Sequence, residues 1–412
     1  MYNNNLDLTG MGMLVFNVFD TSIAKPLIGA KVVVSREGED ILTIFTDDAG
    51  KTGNIELETP PISYSLSPDQ PQPYTIYNAV ITADGFQSEI IEGMQIYPDV
   101  IAIEDIALIP LALAESPANI VIIPEPALYG DYPSKIPEEE QKDIQDESGF
   151  VVLDKVVIPE FIVVHDGRPD DNSANNYWIP YKDYIKNVAS SEIYSTWADS
   201  AIRANVLAIN SFTLNRVYTE WYRSRGKDFT ITNSTQYDQF FVKDRNIFKN
   251  ISTIVDEMFT TYIKRPNQRQ PLLTQYCDGQ RVSCPNWLSQ WGSQNLAEQG
   301  YSTIQILRYY YGNDIFLENA EKVTGVPSSY PGYALEIGSN SNDVKTIQFQ
   351  LNKISNNYPS ITKVKEDGVF GEQTKQAVLT FQGIFNMPKS GIVDFSTWYE
   401  ISKIYVAVSR LA

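Results

Sequence analysis

The chain has 412 residues, a net charge of −19 at neutral pH, 43% apolar residues and 20% charged residues. This length exceeds that of one compact domain of usual size, so we expect two to four domains. The acidic excess excludes nucleic acid as a partner, because phosphates would stay unneutralised, and it excludes a polybasic membrane-binding surface. Aromatic residues make up 12% of the chain and would suit stacking on sugar rings.

The chain contains a single histidine, His165. Mechanisms that need two histidines are therefore excluded, and a serine-histidine triad would have to use this residue. We interpret His165 as a structural or surface residue. The first residues lack a basic stretch followed by an apolar one, and no run approaches the length of a membrane span. We therefore expect a soluble chain without a signal peptide or a membrane span.

Residues 1–111 have the pattern of an all-β sandwich. The stretches "MLVFNVFD" and "AKVVVSRE" alternate apolar and polar residues, and "TDDAGKTG" is rich in turn formers. Together with "ITADGFQSEIIEGMQI" they resemble the transthyretin-like modules called carboxypeptidase regulatory-like domains. We find no polar cluster suited to catalysis here, and we predict a β-sandwich pro-domain.

Residues 112–150 contain many proline and acidic residues and show no sustained periodicity. This composition predicts an exposed linker. Two interpretations remain open: the segment is only a spacer, or it is an activation cleavage region, because exposed irregular segments are the usual sites of proteolysis.

Residues 151–326 carry three motifs in a fixed order. These are "YIKNVASSEIYSTWADSAIRANVLAINSF", the strand-like "ITNSTQYDQFF", and "WLSQWGSQNLAEQGYSTIQILRYYYG". Their order resembles that of the SpoIID family of peptidoglycan lytic transglycosylases. The resemblance implies a central α+β domain that cleaves glycan strands between N-acetylmuramic acid and N-acetylglucosamine and leaves anhydro-muramic ends.

Glu192 matches the catalytic glutamate of that family. Cleavage of a glycosidic bond needs a proton on the leaving oxygen, and a carboxylic acid in an apolar pocket can supply it. Four nearby residues would provide such a pocket: Val188, Ala189, Ile193 and Trp197. The alternative is a solvated carboxylate close to the N-terminus of a helix.

The family motifs also suggest residues that would hold the sugar through amides, hydroxyls and aromatic faces. They are Gln236, Tyr237, Ser289, Gln290 and Trp291. The alternative for each is packing in the core or in a turn. Asp238 is a possible second carboxylate, although we favour a hydrogen bond at a strand end.

Cys277 and Cys284 are the only cysteines of the chain. Some SpoIID domains bind zinc through cysteine and histidine, but two cysteines and one distant histidine make an incomplete set. A loop-closing disulfide, two free thiols and a metal site all remain open. We predict no bound metal and no cofactor.

Residues 327–412 are predicted to form a small three-helix module. Two turns, "DGVFG" and "SGIVD", precede helix starts in which Thr374 and Thr397 occupy matching positions. These two halves resemble the common peptidoglycan-binding domain.

The order of the four segments resembles that of the spore cortex-lytic enzymes of clostridia. The resemblance implies a zymogen that is made in the mother cell, resides in the cortex and coat region of the spore, and is activated by a serine protease during germination. Its partners would be cortex peptidoglycan and that protease. The alternatives are a phage or autolytic wall enzyme of the same chemistry, and a peptidoglycan-binding protein without catalysis.

Overall fold

The computed structural model describes residues 7–22, 24–140 and 155–410. It confirms a multidomain chain with a β-rich N-terminal region, a mixed α/β middle region and a helical C-terminal region. The N-terminal region contains β1 (Gly10–Asp20), β2 (Lys25–Pro26), β3 (Lys31–Arg36), β4 (Glu39–Phe45), β5 (Ile55–Thr59), β6 (Thr75–Thr82), β7 (Ser88–Ile96), β8 (Ile101–Leu108) and β9 (Ala118–Ile122).

The N-terminal strands form two sheets. One sheet has the order β4-β3-β6-β7-β9, and the other joins β8 to β1, with β2 and β5 both paired to β1. β5 and β6 alternate buried and more exposed side chains, as strands with one core-facing side do. Phe16, Val34 and Tyr77 lie in the shared core.

The middle region contains most of the chain's short strands and five of the helices named here. They are β10 (Val157–Ile158), β11 (Phe161–His165), β12 (Asn176–Pro180), α1 (Tyr181–Glu192), α2 (Asp199–Tyr218), β13 (Ile231–Thr232), β14 (Ile247–Phe248), α3 (Lys249–Met258), β15 (Thr261–Lys264), β16 (Tyr276–Cys277), β17 (Leu288–Ser289), α4 (Gln290–Glu298), α5 (Thr303–Tyr311), β18 (Phe316–Asn319) and β19 (Lys322–Val323).

Helix α2 is the centre of the middle region, and it is buried on nearly all sides. Its buried amides bind neighbouring segments. The side chain of Asn210 donates to the carbonyls of Phe259 and Thr261 at 3.0 and 2.7 Å, and that of Asn215 donates to Pro271 at 2.8 Å. A helix surrounded by protein tolerates such polar groups only when they are paired, and these pairs fix the loops around it.

The sandwich and the middle region share a sheet. β14 pairs antiparallel with β8, so that Ile247 lies opposite Ile103 and Phe248 opposite Ala102. The ring of Phe248 packs edge-on against Tyr97 at 5.2 Å between centroids. The sandwich is therefore in intimate contact with the middle region.

The segment predicted as an exposed linker is partly ordered against both neighbours. Ala118–Ile122 forms β9, which pairs parallel with β7 and extends the sandwich sheet. The backbone N–H of Ile123 then donates to the carbonyl of Glu92 at 2.8 Å. Residues 127–140 continue across the middle region. The predicted cleavage region also includes residues 141–150, which lie outside the described residues.

The C-terminal region contains α6 (Asn342–Ile354), α7 (Glu372–Ile384) and α8 (Phe395–Arg410). α8 packs on the middle region through Phe395 and Tyr399, whose rings lie 5.5 and 5.3 Å from that of Phe259. Lys182 on α1 donates to Glu400 on α8 at 2.8 Å, and both side chains are about nine-tenths buried. Across the described ranges, no helix is both long and apolar enough to cross a membrane.

Candidate active site

Glu192 is the last residue of α1, and only 3% of it is exposed. The alternative of a solvated carboxylate at a helix N-terminus is wrong, because Glu192 is buried and lies at the C-terminal end of its helix. The C-terminal end of a helix disfavours a negative charge, and so does burial. Glu192 therefore occupies a position that is unfavourable for its ionised form.

The backbone after β13 provides the hydrogen bond that Glu192 accepts. The Phe240 N–H donates to Oε1 of Glu192 at 2.7 Å. Asn187, one turn earlier on α1, fixes this backbone because its side chain both donates to the carbonyl of Val242 and accepts from its N–H, at 2.6 and 3.0 Å. The second oxygen of Glu192, Oε2, is buried and has no hydrogen bond of standard geometry among the described residues.

The environment of Glu192 keeps its proton affinity high. Burial raises the pKa of Glu192 to about 7, while the charge of Lys135, the Phe240 N–H and the hydroxyl of Tyr276 act in the opposite direction. The Tyr276 hydroxyl interacts with Glu192 without a hydrogen bond of standard geometry. A carboxyl group with this pKa can donate a proton and accept one near neutral pH.

A cavity of about 260 Å³ lies beside Glu192. Five parts of the chain form its walls: residues 127–135, the end of α1, the turn after β13, the loop around the two cysteines, and the start of α4. Its lining residues are Ala127, Asp131, Tyr132, Pro133, Ser134, Lys135, Glu192, Thr235, Tyr276, Cys277, Asp278, Arg281, Val282 and Gln290.

Lys135 places a positive charge at this cavity. The residue as a whole is partly exposed, but its ammonium lies 4.7 and 4.6 Å from the ring centroids of Phe212 and Tyr276. The ammonium also donates to the backbone carbonyl of Asp238. Burial lowers the pKa of Lys135, and the negative charge of Glu192 raises it. The two groups therefore influence each other's charge.

Three of the predicted sugar-binding residues lie at the start of α4. Gln290 lines the cavity, and its side-chain amide donates to the carbonyl of Glu192 at 3.3 Å. Ser289 is the N-cap of α4 and accepts from the Gly292 N–H at 2.9 Å. Trp291 is 7% exposed and packs against Trp197 at 5.1 Å between ring centroids. Of these three, only Gln290 faces Glu192, while Ser289 and Trp291 have the contacts of a cap and of a core residue.

Gln236 and Tyr237 lie in a turn, whereas the sequence predicts a strand through this motif. The strand ends at Thr232, and a turn follows in which the backbone N–H groups of Tyr237 and Asp238 donate to the carbonyl of Ser234 at 3.2 and 2.8 Å. The Gln236 carbonyl accepts from the Ile136 N–H at 2.8 Å. The guanidinium of Arg168 lies 5.8 Å from the ring centroid of Tyr237.

Asp238 is completely buried and fully bonded. It accepts from Arg216 Nε, the Tyr222 hydroxyl and the Thr232 hydroxyl, each at 2.7 Å, and from the Thr232 N–H at 2.9 Å. Arg216 is equally buried. Asp238 therefore secures the end of β13, as favoured from the sequence, and its oxygens face these donors rather than the cavity.

The cysteines and the histidine have structural contacts. Cys277 and Cys284 form a disulfide that closes the loop beside the cavity, which decides among the three alternatives left open above. His165 is buried, stacks on Phe229 at 4.3 Å, and contacts Asn176 through Nδ1 at 2.8 Å. The interpretation of His165 as structural is confirmed.

Sequence reasoning missed Lys135, Tyr276 and Arg281 at this site. Tyr276 and Arg281 belong to "YCDGQRVSC", the loop that contains both cysteines. Lys135 belongs to "YGDYPSK", inside the predicted linker. Two tyrosines in so short a stretch are unusual for a solvated linker and were the available signal that it packs against a folded domain.

A larger cavity, of about 460 Å³, lies where the three regions meet. Charged side chains from different regions line it, among them Lys51 and Asp105 of the sandwich, Asp183 of α1 and Lys403 of α8. Lys403 donates to Asp183 at 2.7 Å, and Lys51 donates to carbonyls of Gly383 and Ile384 at 3.1 Å. These pairs connect the regions, so we interpret the cavity as part of their interface.

Comparison with known proteins identifies one domain. Residues 340–401 match the family described as "Putative peptidoglycan binding domain". No curated protein matches the chain. Among solved structures, the 5-hydroxyisourate hydrolase of Klebsiella pneumoniae is 21% identical, with 23% of this chain and 89% of that chain covered and a TM-score of 0.16.

A second solved structure is catechol 1,2-dioxygenase from Acinetobacter sp. ADP1, inhibited by bound mercury. It is 17% identical, with 29% of this chain and 61% of that chain covered and a TM-score of 0.17. Neither likeness carries a conclusion about this chain. The matched domain supports peptidoglycan binding and suggests an association with the cell wall.

Proposed function

We propose that the chain is a peptidoglycan lytic transglycosylase of the spore cortex, with Glu192 as its only acid/base. The observation that carries this proposal is the state of Glu192: a buried carboxyl group beside a cavity, with one oxygen bound by a backbone N–H and the other without a hydrogen bond of standard geometry among the described residues. The peptidoglycan-binding domain would bring this group to its polymer.

The chemistry needs one carboxyl group. Protonated Glu192 would give its proton to the glycosidic oxygen while the bond from that oxygen to muramic acid breaks. The resulting carboxylate would then take the proton of the muramic acid primary hydroxyl, whose oxygen bonds to the sugar carbon and closes the anhydro ring. No water is consumed, and Glu192 ends protonated as it began.

A hydrolase would instead need a second carboxylate to activate water or attack the sugar. Asp238 is held by four hydrogen bonds and is unsuited to that role. Asp278, which lines the cavity, accepts from the backbone N–H of Val282 at 3.0 Å and from Arg281 Nε at 2.9 Å. These bonds make Asp238 and Asp278 unsuited to the second role, and Asp131, the remaining carboxylate of the cavity lining, belongs to the segment 112–150 in which we propose the cut.

The biological setting is proposed from the resemblance of domain order to SleC, the clostridial spore cortex-lytic enzyme precursor. The chain would be a zymogen of the spore, cut within residues 112–150 by a serine protease during germination. A phage or autolytic enzyme of the same chemistry, or a wall-binding protein without activity, remains the alternative.

The test uses cortex peptidoglycan and the chain cut between residues 140 and 150, at the end of the predicted cleavage region. Glu192→Gln preserves the shape of the side chain but removes the proton, so we expect release of soluble fragments to fall by at least ~10²-fold. Glu321→Gln, at an exposed ion pair with Lys155, is the matched control and should release fragments as the unaltered chain does. Equal digestion by a folded Glu192→Gln protein would reject the assignment.

A further inference from the structure

Residues 127–140, here called the strap, cross the middle region directly beside Glu192. At the start of the strap, the backbone N–H of Ala127 donates a hydrogen bond to the carbonyl of Ser191 at 2.9 Å. Arg281, on the disulfide-closed loop, donates to the carbonyls of Ala127 and Tyr129 at 2.6 and 3.3 Å and also to that of Gly130. The first half of the strap is thus fixed to both sides of the cavity.

The second half of the strap binds the opposite wall. The Ile136 N–H donates to the Gln236 carbonyl at 2.8 Å. The side chain of Gln275 donates to the Ile136 carbonyl and accepts from the Glu138 N–H, both at 3.1 Å. The backbone of the strap is therefore paired with polar groups of the middle region that would otherwise face the cavity or solvent.

Charges complete these contacts. Both terminal nitrogens of Arg216 donate to the Glu138 carboxylate, at 3.0 and 2.5 Å, although Arg216 already has Asp238 as a partner inside the protein. Near the end of the strap, Arg265 donates to the Glu140 carboxylate at 3.0 Å. Bidentate pairs of arginine with carboxylate are among the stronger polar contacts in proteins, so they oppose spontaneous opening.

The strap also limits the space at Glu192. The cavity of about 260 Å³ is smaller than the roughly 300–1,000 Å³ of pockets that enclose one small ligand, and a glycan must extend to both sides of the bond that is cleaved. The Lys135 ammonium, between the rings of Phe212 and Tyr276, takes up further space beside the acid.

We infer that the strap occupies the glycan-binding groove of the Glu192 site, so that displacement of the strap activates the enzyme. This inference rests on the proposed function and specifies its regulation. The sandwich would hold the strap in place through β9, while the strap itself excludes the substrate. A cut in the chain would therefore activate the enzyme only if it allows the strap to leave the groove.

The same contacts identify groups that would bind peptidoglycan after the strap has left. Gln275 would offer its amide to the acetamido and hydroxyl groups of the sugars, and Arg281 would offer donors to their oxygens. Arg216 would receive a carboxylate of the substrate, from a muramyl group or a stem peptide, in place of Glu138. The strap therefore indicates a carboxylate-bearing glycan as the ligand of this groove.

The experiment compares two engineered cuts in the full chain. One site for a sequence-specific protease lies between Leu113 and Ser116, before the strap, and the other lies between Glu140 and Lys155, after it. The first cut leaves the strap joined to the middle region. The second leaves it joined only to the sandwich. The two readouts are reductive methylation of Lys135, measured by mass spectrometry, and release of fragments from cortex peptidoglycan.

We expect Lys135 to be protected and digestion to stay low in the uncut chain and after the first cut. After the second cut, with peptidoglycan present, both labelling and digestion should rise by about tenfold or more, the effect of losing roughly one charge-assisted contact. Exposed Lys365 should be labelled in all samples, and buried Lys182 in none.

The outcomes separate the inference from the proposed function. Labelling of Lys135 after the second cut without digestion by any sample would support strap displacement and reject the enzyme. Digestion after the second cut while Lys135 stays protected would overturn the inference. Equal digestion after either cut would also overturn it, because the strap would not be the inhibitory element.

A substitution on the strap tests the inference without a cut. Glu138→Gln removes the charge that Arg216 binds, and we expect digestion by the uncut chain to rise by about tenfold, the effect of one charge-assisted pair. Glu139→Gln alters the exposed neighbouring residue and should leave digestion by the uncut chain unchanged. No difference between these two folded variants would argue against the strap as the barrier.

Discussion

Two buried carboxylates of the middle region, Glu192 and Asp238, have opposite surroundings. Asp238 accepts four hydrogen bonds, two of them from Thr232 and one from the buried Arg216. Glu192, beside a cavity, accepts one hydrogen bond of standard geometry from the described residues, that of the Phe240 N–H. Burial alone therefore does not make an acid. The donors decide whether a buried carboxylate stabilises the fold or remains available for proton transfer.

From this comparison, we expect the largest loss of stability from a substitution of Asp238. Asp238→Asn removes one of the two carboxylates that bind the buried Arg216 and leaves Glu138 as its partner, and breaking a buried pair costs about 3–5 kcal/mol. Asp170→Asn is the matched control, because Asp170 is 78% exposed beside Arg168 and a surface pair contributes about 0–1 kcal/mol. Urea unfolding of both variants measures the difference. Similar midpoints would show that the Asp238 cluster does not stabilise the fold.

The second prediction concerns pH and Glu192 in the uncut chain. The pKa of Glu192 is 4.5 in the unfolded chain and is raised to about 7 in the folded chain. Between these two pH values, the folded chain keeps a proton on Glu192 that the unfolded chain has lost. The stabilisation is therefore complete below about pH 4.5 and is lost as the pH rises through about 7. The full change is about 3 kcal/mol, from about 1.36 kcal/mol for each pKa unit.

Glu192→Gln has no such titration, and groups that do not interact with Glu192 cancel when the two proteins are compared. The unaltered chain should thus lose stability relative to the variant between pH 4.5 and 7. Unfolding free energies of both proteins, measured between pH 4.5 and 7, test the direction of this change in stability. A constant difference between the two proteins would mean that Glu192 titrates normally.

The third and smallest prediction concerns the C-terminal region, where two buried glutamine side chains stabilise the fold through their hydrogen-bond partners. Gln348 accepts from the Gly368 N–H and Gln382 from the Gly391 N–H, both at 2.9 Å, and each amide also donates to a carbonyl of the following turn at 3.0 Å. Gln382→Ala leaves these buried groups unpaired at a cost of about 1–3 kcal/mol. Gln376→Ala, on the exposed face of α7, should cost much less, and thermal unfolding compares the two.

The C-terminal repeat could be predicted from sequence because its pattern is local. Each half has a turn with a glycine at positive φ, Gly368 at 78° and Gly391 at 70°, followed by a helix whose early threonine is buried. Glu192 could be singled out because three motifs occur in a fixed order. The C-terminal turns and each of the three motifs are runs of residues close to one another in the chain.

The strap could not be predicted in the same way. Its contacts join Lys135 to Asp238 and Glu138 to Arg216, across long stretches of chain. Its proline and acidic residues show no period, because an extended segment that binds through its backbone needs none. The role of Trp291 could not be decided from sequence for a related reason, since an aromatic residue that suits a sugar equally suits a core of other aromatic rings.

The most direct test of the account is the structure of the products. The chain cut after the strap is incubated with cortex peptidoglycan in water enriched in heavy oxygen, and the soluble fragments are analysed by mass spectrometry. The account predicts anhydro-muramic ends without heavy oxygen, and their loss in Glu192→Gln. Reducing ends that carry heavy oxygen would show hydrolysis and contradict the single-carboxylate mechanism. Fragments that persist in Glu192→Gln would contradict the role of Glu192.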